Sequence, residues 1–175
     1  MWAVNNILSS LELGPTPLSR VLADAEAFLE RFAGDRWIES SARADQAYIS
    51  ALLGRSDAAR GYAAAGQAIV ETLGLGGGMA SPALTLGYVA WYERDLAEVV
   101  ARFREMIEMW EAAGDRLNRG WLGPDLARVL LDLGRDAEAA AVIRTLEGDR
   151  IRPTRAAVLS LRGLLAARRG DHREA

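Results

Sequence analysis

The 175 residues include no cysteine, which excludes disulfides and thiolate metal sites. A reducing compartment is compatible with that absence. Lysine is missing too: all 21 basic residues are arginine, a usage that a GC-rich coding bias explains more simply than a function does. Without lysine, the phosphate loop GxxxxGK[ST] has lost the side chain that reaches the phosphates. The sole histidine, His172, lies among the last five residues, so a Ser–His–Asp triad or a multi-histidine metal site lacks its parts. It reads as an exposed residue at a helix start. No apolar run approaches the ~18 residues of a membrane span, and no basic stretch precedes an apolar one at the N-terminus. A net charge of −3 and a pI near 5.3 leave no electrostatic footprint for nucleic acid or anionic lipid. The expectation is a soluble, cytoplasmic protein with neither nucleic acid nor membrane as partner.

Glycine is plentiful and evenly placed. Gly14, Gly54 and Gly134 stand in a 40-residue register with Arg94 in the remaining slot, while Gly34, Gly74 and Gly114 repeat the spacing half a period out of phase. The text around the first set also repeats: "LELGPTP", "LLGRSDAA", "YERDLAEVV", "DLGRDAEAA", and "ARRGDHREA" at Gly170, 36 residues after Gly134. Five residues past each marker come Ser19, Ala59, Val99, Ala139 and Ala175, mostly small. A fixed period of this size marks a stacked repeat, in which no unit buries its apolar face alone.

The intervals carry helical periodicity. Val21, Ala25, Phe28 and Phe32 form a stripe in 17–33; Ala58, Tyr62, Ala65, Ile69 and Leu73 form one in 56–73; Leu96, Val99, Phe103, Ile107 and Trp110 form one in 95–113. Segments 36–53, 82–93, 116–133 and 153–168 also read as helices. Thr16–Pro17 and Ser81–Pro82 are cap-and-proline starts, Ser56 is a cap, and Asp95 with Glu98 makes a capping box. Pro124 predicts a kink or a late start in 116–133, since proline inside a helix costs about 3 kcal/mol. The fold expected is all-α: one array over residues 1–175 of antiparallel helix pairs, an α-solenoid with a period near 40 residues. Neighbouring pairs should stack into a right-handed superhelix. One set of helices (A, ending at 54, 94, 134 and 170) should line its concave face, with the other set (B) outside.

Turns of the form "LGRxxEA" between amphipathic helices resemble tetratricopeptide (TPR) repeats, here in a longer-looped version. The stretch "LELGPTPLSRVLADAEAFLERFAGDRWIES", with the late "RRGDHREA" turn, is similar to the C-terminal helical-repeat region of large bacterial regulators. Those regulators carry an adenylate/guanylate cyclase or helix-turn-helix module and an AAA-type ATPase. This chain lacks those modules, and the resemblance implies none of their activities for it.

Several residues invite a chemical reading. "GLGGGMAS" (Gly74 to Ser81) tempts a nucleotide interpretation, but it follows a helix and fails GxGxxG at Met79, so it reads as an inter-repeat loop. Glu105, Glu108 and Glu111 share a helix face opposite the apolar stripe and read as solvated. Asp45 interrupts the line Ile38, Ala42, Asp45, Ile49, Leu52, and a carboxylate there needs a partner, such as Arg43, or a place facing the groove. Trp110 belongs to a core stripe, while Trp37, Trp91 and Trp121 lie on A helices, where aromatics serve as core or as interface anchors. No catalytic constellation exists, and no cofactor or metal is implied.

The function expected is a non-enzymatic interaction or scaffold module of a bacterial signalling regulator. It would hold a partner peptide or helix, or an adjoining ATPase or output domain, in the concave groove through Arg43, Asp45, Tyr48, Tyr88, Trp91 and Arg155. The alternative is a small-molecule sensor enclosing a ligand within the superhelix. The last A helix presents Val158, Leu161, Leu164 and Leu165 with no following B helix to cover them. The array therefore reads as truncated at its C-terminal end, or as paired there into a homodimer.

Overall fold

A computed structural model of the chain describes residues 14–74, 82–147 and 152–170. Among the described residues there are eight helices and no strand: α1 (Leu18–Arg31), α2 (Arg36–Leu52), α3 (Ser56–Thr72), α4 (Pro82–Glu93), α5 (Leu96–Ala112), α6 (Arg116–Asp132), α7 (Asp136–Leu146) and α8 (Arg152–Arg168). They gather into two compact units, Met1–Asp95 with α1 to α4 and Leu96–Ala175 with α5 to α8. The sequence reading drew no such division; the border follows Arg94, the one slot without glycine.

The residues that mark the register are the residues that stop the helices. Gly34, Gly54, Gly74, Arg94, Gly114 and Gly134 all take positive φ, between 65° and 96°, and Gly170 follows at 75°. A side chain in this left-handed region costs about 1–2 kcal/mol, which is why glycine holds every slot but one. Four of these joints share one hydrogen-bond pattern. The left-handed residue's N–H reaches the carbonyl three residues back and the next N–H the carbonyl five back: Gly54 to Ala51 and Arg55 to Ser50, Arg94 to Trp91 and Asp95 to Ala90, Gly114 to Glu111 and Asp115 to Trp110, Gly134 to Leu131 and Arg135 to Leu130. That closure satisfies carbonyls the helix end would leave open.

Helix starts differ more from expectation. Asp35 Oδ1 accepts the N–H of Trp37 and of Ile38, each at 3.1 Å, and Asp115 Oδ1 accepts the N–H of Asn118 at 3.1 Å. Aspartate directly after a terminating glycine thus caps α2 and α6. The expected caps at Thr16 and Ser56 are not used: Pro17 and Arg55 hold the cap positions without a side-chain bond, because α1 and α3 begin one residue away from where the motifs placed them. Ser81 and most of the glycine-rich 74–81 loop lie outside the described residues, as does His172.

In unit 1, α2 packs against α1, α3 and α4. Its contact with α3 is made of small residues. Ala47, Ala51, Ala59 and Ala63 cluster with Val89, and a Cβ on Gly66 would stand 3.4 Å from Arg43 Cβ and from the Ser40 carbonyl. The stripe read for α3 holds in part: Ile69 is buried and Tyr62 packs against the core, but Ala58, Ala65 and Leu73 are exposed, while Ala59, Ala63 and Gly66 are buried in their place. Of the small residues expected after each turn, Ala59, Val99 and Ala139 are fully buried, whereas Ser19 is exposed and Ala175 lies outside the described residues. Arg60 Nε grips both carboxylate oxygens of Glu93, at 3.2 and 3.1 Å, tying α3 to α4.

Unit 2 buries Val99, Val100, Phe103, Met106 and Trp110 of α5 and most of the C-terminal half of α6. Glu105, Glu108 and Glu111 are exposed, with Arg102 at 3.7 Å from Glu105. Pro124 neither delays nor divides α6, which runs unbroken from Arg116 to Asp132. Proline removes the N–H that would bond the Gly120 carbonyl four residues back. Thr154 of α8 supplies a replacement: its hydroxyl donates to that carbonyl at 3.0 Å in a buried site. Across α5 and α7, Arg104 and Arg135 both donate to Glu138, and those hydrogen bonds, Arg135's first, hold its carboxyl down at about 2.

The expectation of an uncovered α8 is corrected at three of its four positions. Val158, Leu161 and Leu165 are buried, and only Leu164, at 38% exposure, stays partly wet. Packing of α8 on both α6 and α7 covers them.

Candidate functional site

Within each unit the A helices lie side by side. Cα atoms of α2 and α4, and of α6 and α8, approach within 8 Å, whereas among the described residues no such close approach joins α1 to α3 or α5 to α7. Those B helices meet through side chains instead, Tyr62 with Glu26 and Arg104 with Glu138.

The face shared by α2 and α4 carries an aromatic cluster. Tyr48 comes from α2; Tyr88, Trp91 and Tyr92 come from one and a half turns of α4, where spacings of three and four keep them on one side of the helix. Tyr48 meets Tyr88 edge-on at 5.9 Å between centroids and Tyr92 at 5.6 Å, while the Tyr88 and Trp91 rings lie parallel, 2° apart in plane, at 6.3 Å. These separations are the favoured ones for aromatic pairs. The Tyr48 and Tyr92 hydroxyls are hydrogen-bonded to each other at 3.1 Å. Tyr48, Tyr88 and Trp91 are half-buried and Tyr92 is 43% exposed, so the cluster is anchored from below and open above.

The six residues singled out from the sequence separate into groups. Tyr48, Tyr88 and Trp91 come together. Asp45 stands one turn before Tyr48 on α2 and is half-buried. Arg43 turns toward α3: its guanidinium donates to Gln46 Oε1 at 2.9 Å and lies 5.7 Å over the Tyr62 ring. Tyr62 in turn donates to Glu26 at 3.4 Å, so Arg43 belongs to the α1–α2–α3 packing. Arg155 lies exposed on α8 of the other unit. Tyr92 is the member that sequence reasoning missed. Its signal was present: four residues from Tyr88, it repeats the helical step that brings side chains together.

Chemically the cluster offers ring faces, ring edges and a pair of phenol hydroxyls, which suit stacking, cation–π contact and hydrogen bonding to a bound chain. Among the described residues no three His, Asp or Glu side chains converge as metal ligands. No described helix is long and apolar enough to cross a membrane. The geometry alone carries the functional reading, since no protein-family model, no curated protein and no solved structure matches the chain.

Proposed function

We propose that this chain is a non-enzymatic interaction module, a TPR-like right-handed solenoid that binds a partner peptide or helix along its A helices. The partner would be a separate protein or an adjoining ATPase or output module, in a cytoplasmic bacterial regulator of the kind the repeats resemble. The single observation that carries the reading is the half-open Tyr48–Tyr88–Trp91–Tyr92 cluster across two neighbouring A helices. Tyrosine and tryptophan supply large contact area with few rotatable bonds, which is why they dominate interface hot spots. The closer approach of A helices than of B helices supports curvature with the A side inward.

A sensor of small molecules would need an enclosed, mostly apolar site of several hundred cubic ångströms. The cavity between α7 and α8, about 200 Å³ and rimmed by arginine, does not meet that description, and the peptide reading rests on the aromatic cluster.

Peptide-display selection on the full chain, followed by calorimetry with the enriched peptides, tests the proposal. Tyr92→Ala and Tyr48→Ala should each weaken binding by about 2 kcal/mol or more, the size of an interface hot spot. Glu108→Ala, at an exposed position of the B helix α5, should leave it unchanged. Failure to enrich any peptide, or equal binding by the tyrosine variants, defeats the reading.

A further inference from the structure

Among the described residues, Arg94 is the one side chain carried at positive φ, 67°. At the glycines that share this conformation, from Gly34 to Gly170, a Cβ would meet nothing within 4 Å. A side chain therefore has room at such a turn, and the penalty is the backbone angle alone. Glycine at 94 would remove it. The arginine does not recover that penalty inside the protein: it is exposed, and its guanidinium makes no ion pair, hydrogen bond or ring contact among the described residues. Of the acids near it in sequence, Glu93 is gripped by Arg60 and Glu98 lies 3.6 Å from Arg102. A side chain held at a disfavoured angle without internal contacts marks a group used outside the fold.

Arg94 follows two residues after Tyr92, the most exposed ring of the aromatic cluster, at the C-terminal end of α4. Arg55 stands at the same edge. Arg60, which holds Glu93 at the end of α4, lies in the opening turns of α3, and α3 begins at Ser56, straight after Arg55. Arg55 is exposed and makes no ion pair among the described residues. Its counterpart 80 residues on, Arg135, binds Glu138 three residues later, and where that glutamate would stand Arg55 has Ala58. Residues 1–95 hold seven arginines against eleven acids, so these two guanidiniums form a local cationic edge on an acidic unit.

We propose that Arg94, with Arg55 beside it, is a second contact surface that reads an acidic side chain of the partner bound at the aromatic cluster. The partner is a segment that lays an aromatic or aliphatic side chain on the rings and presents an internal aspartate or glutamate to Arg94, whose planar fork matches a carboxylate. This inference rests on the reading of the cluster as a peptide site. On an acidic unit the charge pair sets register and direction more than affinity: a segment docked in reverse would carry its acid away from the guanidiniums and toward Asp45, one turn before Tyr48.

Random peptide libraries displayed against the full chain, and in parallel against Arg94→Gly and Arg94→Glu, test it. The natural chain should enrich peptides with Asp or Glu at a fixed spacing from an aromatic or aliphatic residue. Arg94→Gly should lose that acid from its pool, and Arg94→Glu should replace it with Arg or Lys. The most enriched peptide, synthesised and labelled, should bind Arg94→Gly about tenfold more weakly in anisotropy, as expected for losing a charge-assisted hydrogen bond. The same variant, freed of the disfavoured angle, should melt about 2–4 °C higher. Amidating the peptide's C-terminus should change nothing. Peptides that need Tyr92 but show no acid preference, or keep that preference on Arg94→Gly, overturn this inference and leave the aromatic site standing. A library that enriches nothing defeats both. A lower melting point for Arg94→Gly would give the side chain a role in the fold and overturn the proposal. Loss of binding on amidation would assign the guanidinium to a terminal carboxylate and overturn it as well.

Discussion

Pro124 and Thr154 answer each other across two helices. The proline leaves the Gly120 carbonyl without its helical donor, and the threonine hydroxyl, 3.0 Å away in a buried site, fills the gap. A buried carbonyl stripped of its partner costs about 1–3 kcal/mol, so Thr154→Val should lower stability by that amount in urea denaturation. In a Pro124→Ala background the backbone N–H returns to Gly120, and the same threonine change should then cost far less. A double-mutant cycle with no coupling would show that the two residues act independently. Nothing in the sequence announces such a pair, because a proline's consequence appears only where another helix passes. The terminators were legible for the opposite reason: left-handed φ is a demand of one residue on itself, and even Arg94 betrayed it through its place in the register. Of the aromatic cluster, Tyr48, Tyr88 and Trp91 were legible as aromatic residues on the A helices expected to line the groove. Arg43 was assigned by helix alone, and only the position of Tyr62 reveals which way it turns.

Helix packing here is governed by small residues, and glycine tests it in two directions. Gly61, exposed in mid-α3, has nothing within 4 Å of where a Cβ would stand. Alanine there should stabilise the protein by about 0.5–1 kcal/mol through the lower entropy of the unfolded chain. Gly123 of α6 is the contrary case. A Cβ would lie 2.9 Å from both terminal carbons of Leu146, which is only 1% exposed and has little room to move. Overpacking of that kind costs about 1–3 kcal/mol and outweighs the gain in helix propensity. Thermal melts should therefore move up for Gly61→Ala and down for Gly123→Ala; a rise in both would mean that α6 and α7 separate at little cost. The same smallness explains why the α3 stripe was legible at Tyr62 and Ile69 but not at its alanines. With alanine at 58, 59, 63, 64, 65 and 68, hydropathy hardly distinguishes one face from another, and only contact with α2 selects the buried one. Helix α5, with Phe103, Met106 and Trp110, has the contrast that α3 lacks, and its stripe was read nearly as it stands.

At the scale of the whole molecule the charge is divided unevenly. Residues 1–95 hold seven arginines against eleven acids, and residues 96–175 hold fourteen against thirteen. Global stability should follow pH accordingly, and Glu138 supplies the clearest part. Its carboxyl is depressed from an ordinary value of 4.5 to about 2 by the Arg135 and Arg104 hydrogen bonds. The depressed value means that its contribution is complete above 4.5 and disappears as pH falls through about 2. Glu138→Gln should melt earlier than the natural protein at neutral pH, and the two curves should converge between 4.5 and 2; parallel curves would contradict the assignment. The helical class was legible throughout, since every terminator and most stripes agree on it. The separation into two compact units was not, because it depends on which neighbours a helix prefers when all have similar faces. Arginine takes the cationic side of every ion pair described above, from Arg60–Glu93 to Arg104–Glu138. No side chain in the 175 residues carries a primary amine. Acetylation, ubiquitination on a side chain and amine-directed labelling therefore find no substrate in any of these bridges or on either proposed surface. Guanidinium stays charged at any pH a cell reaches, so the cationic side of these bridges does not answer to acid and is deaf to every signal written on lysine.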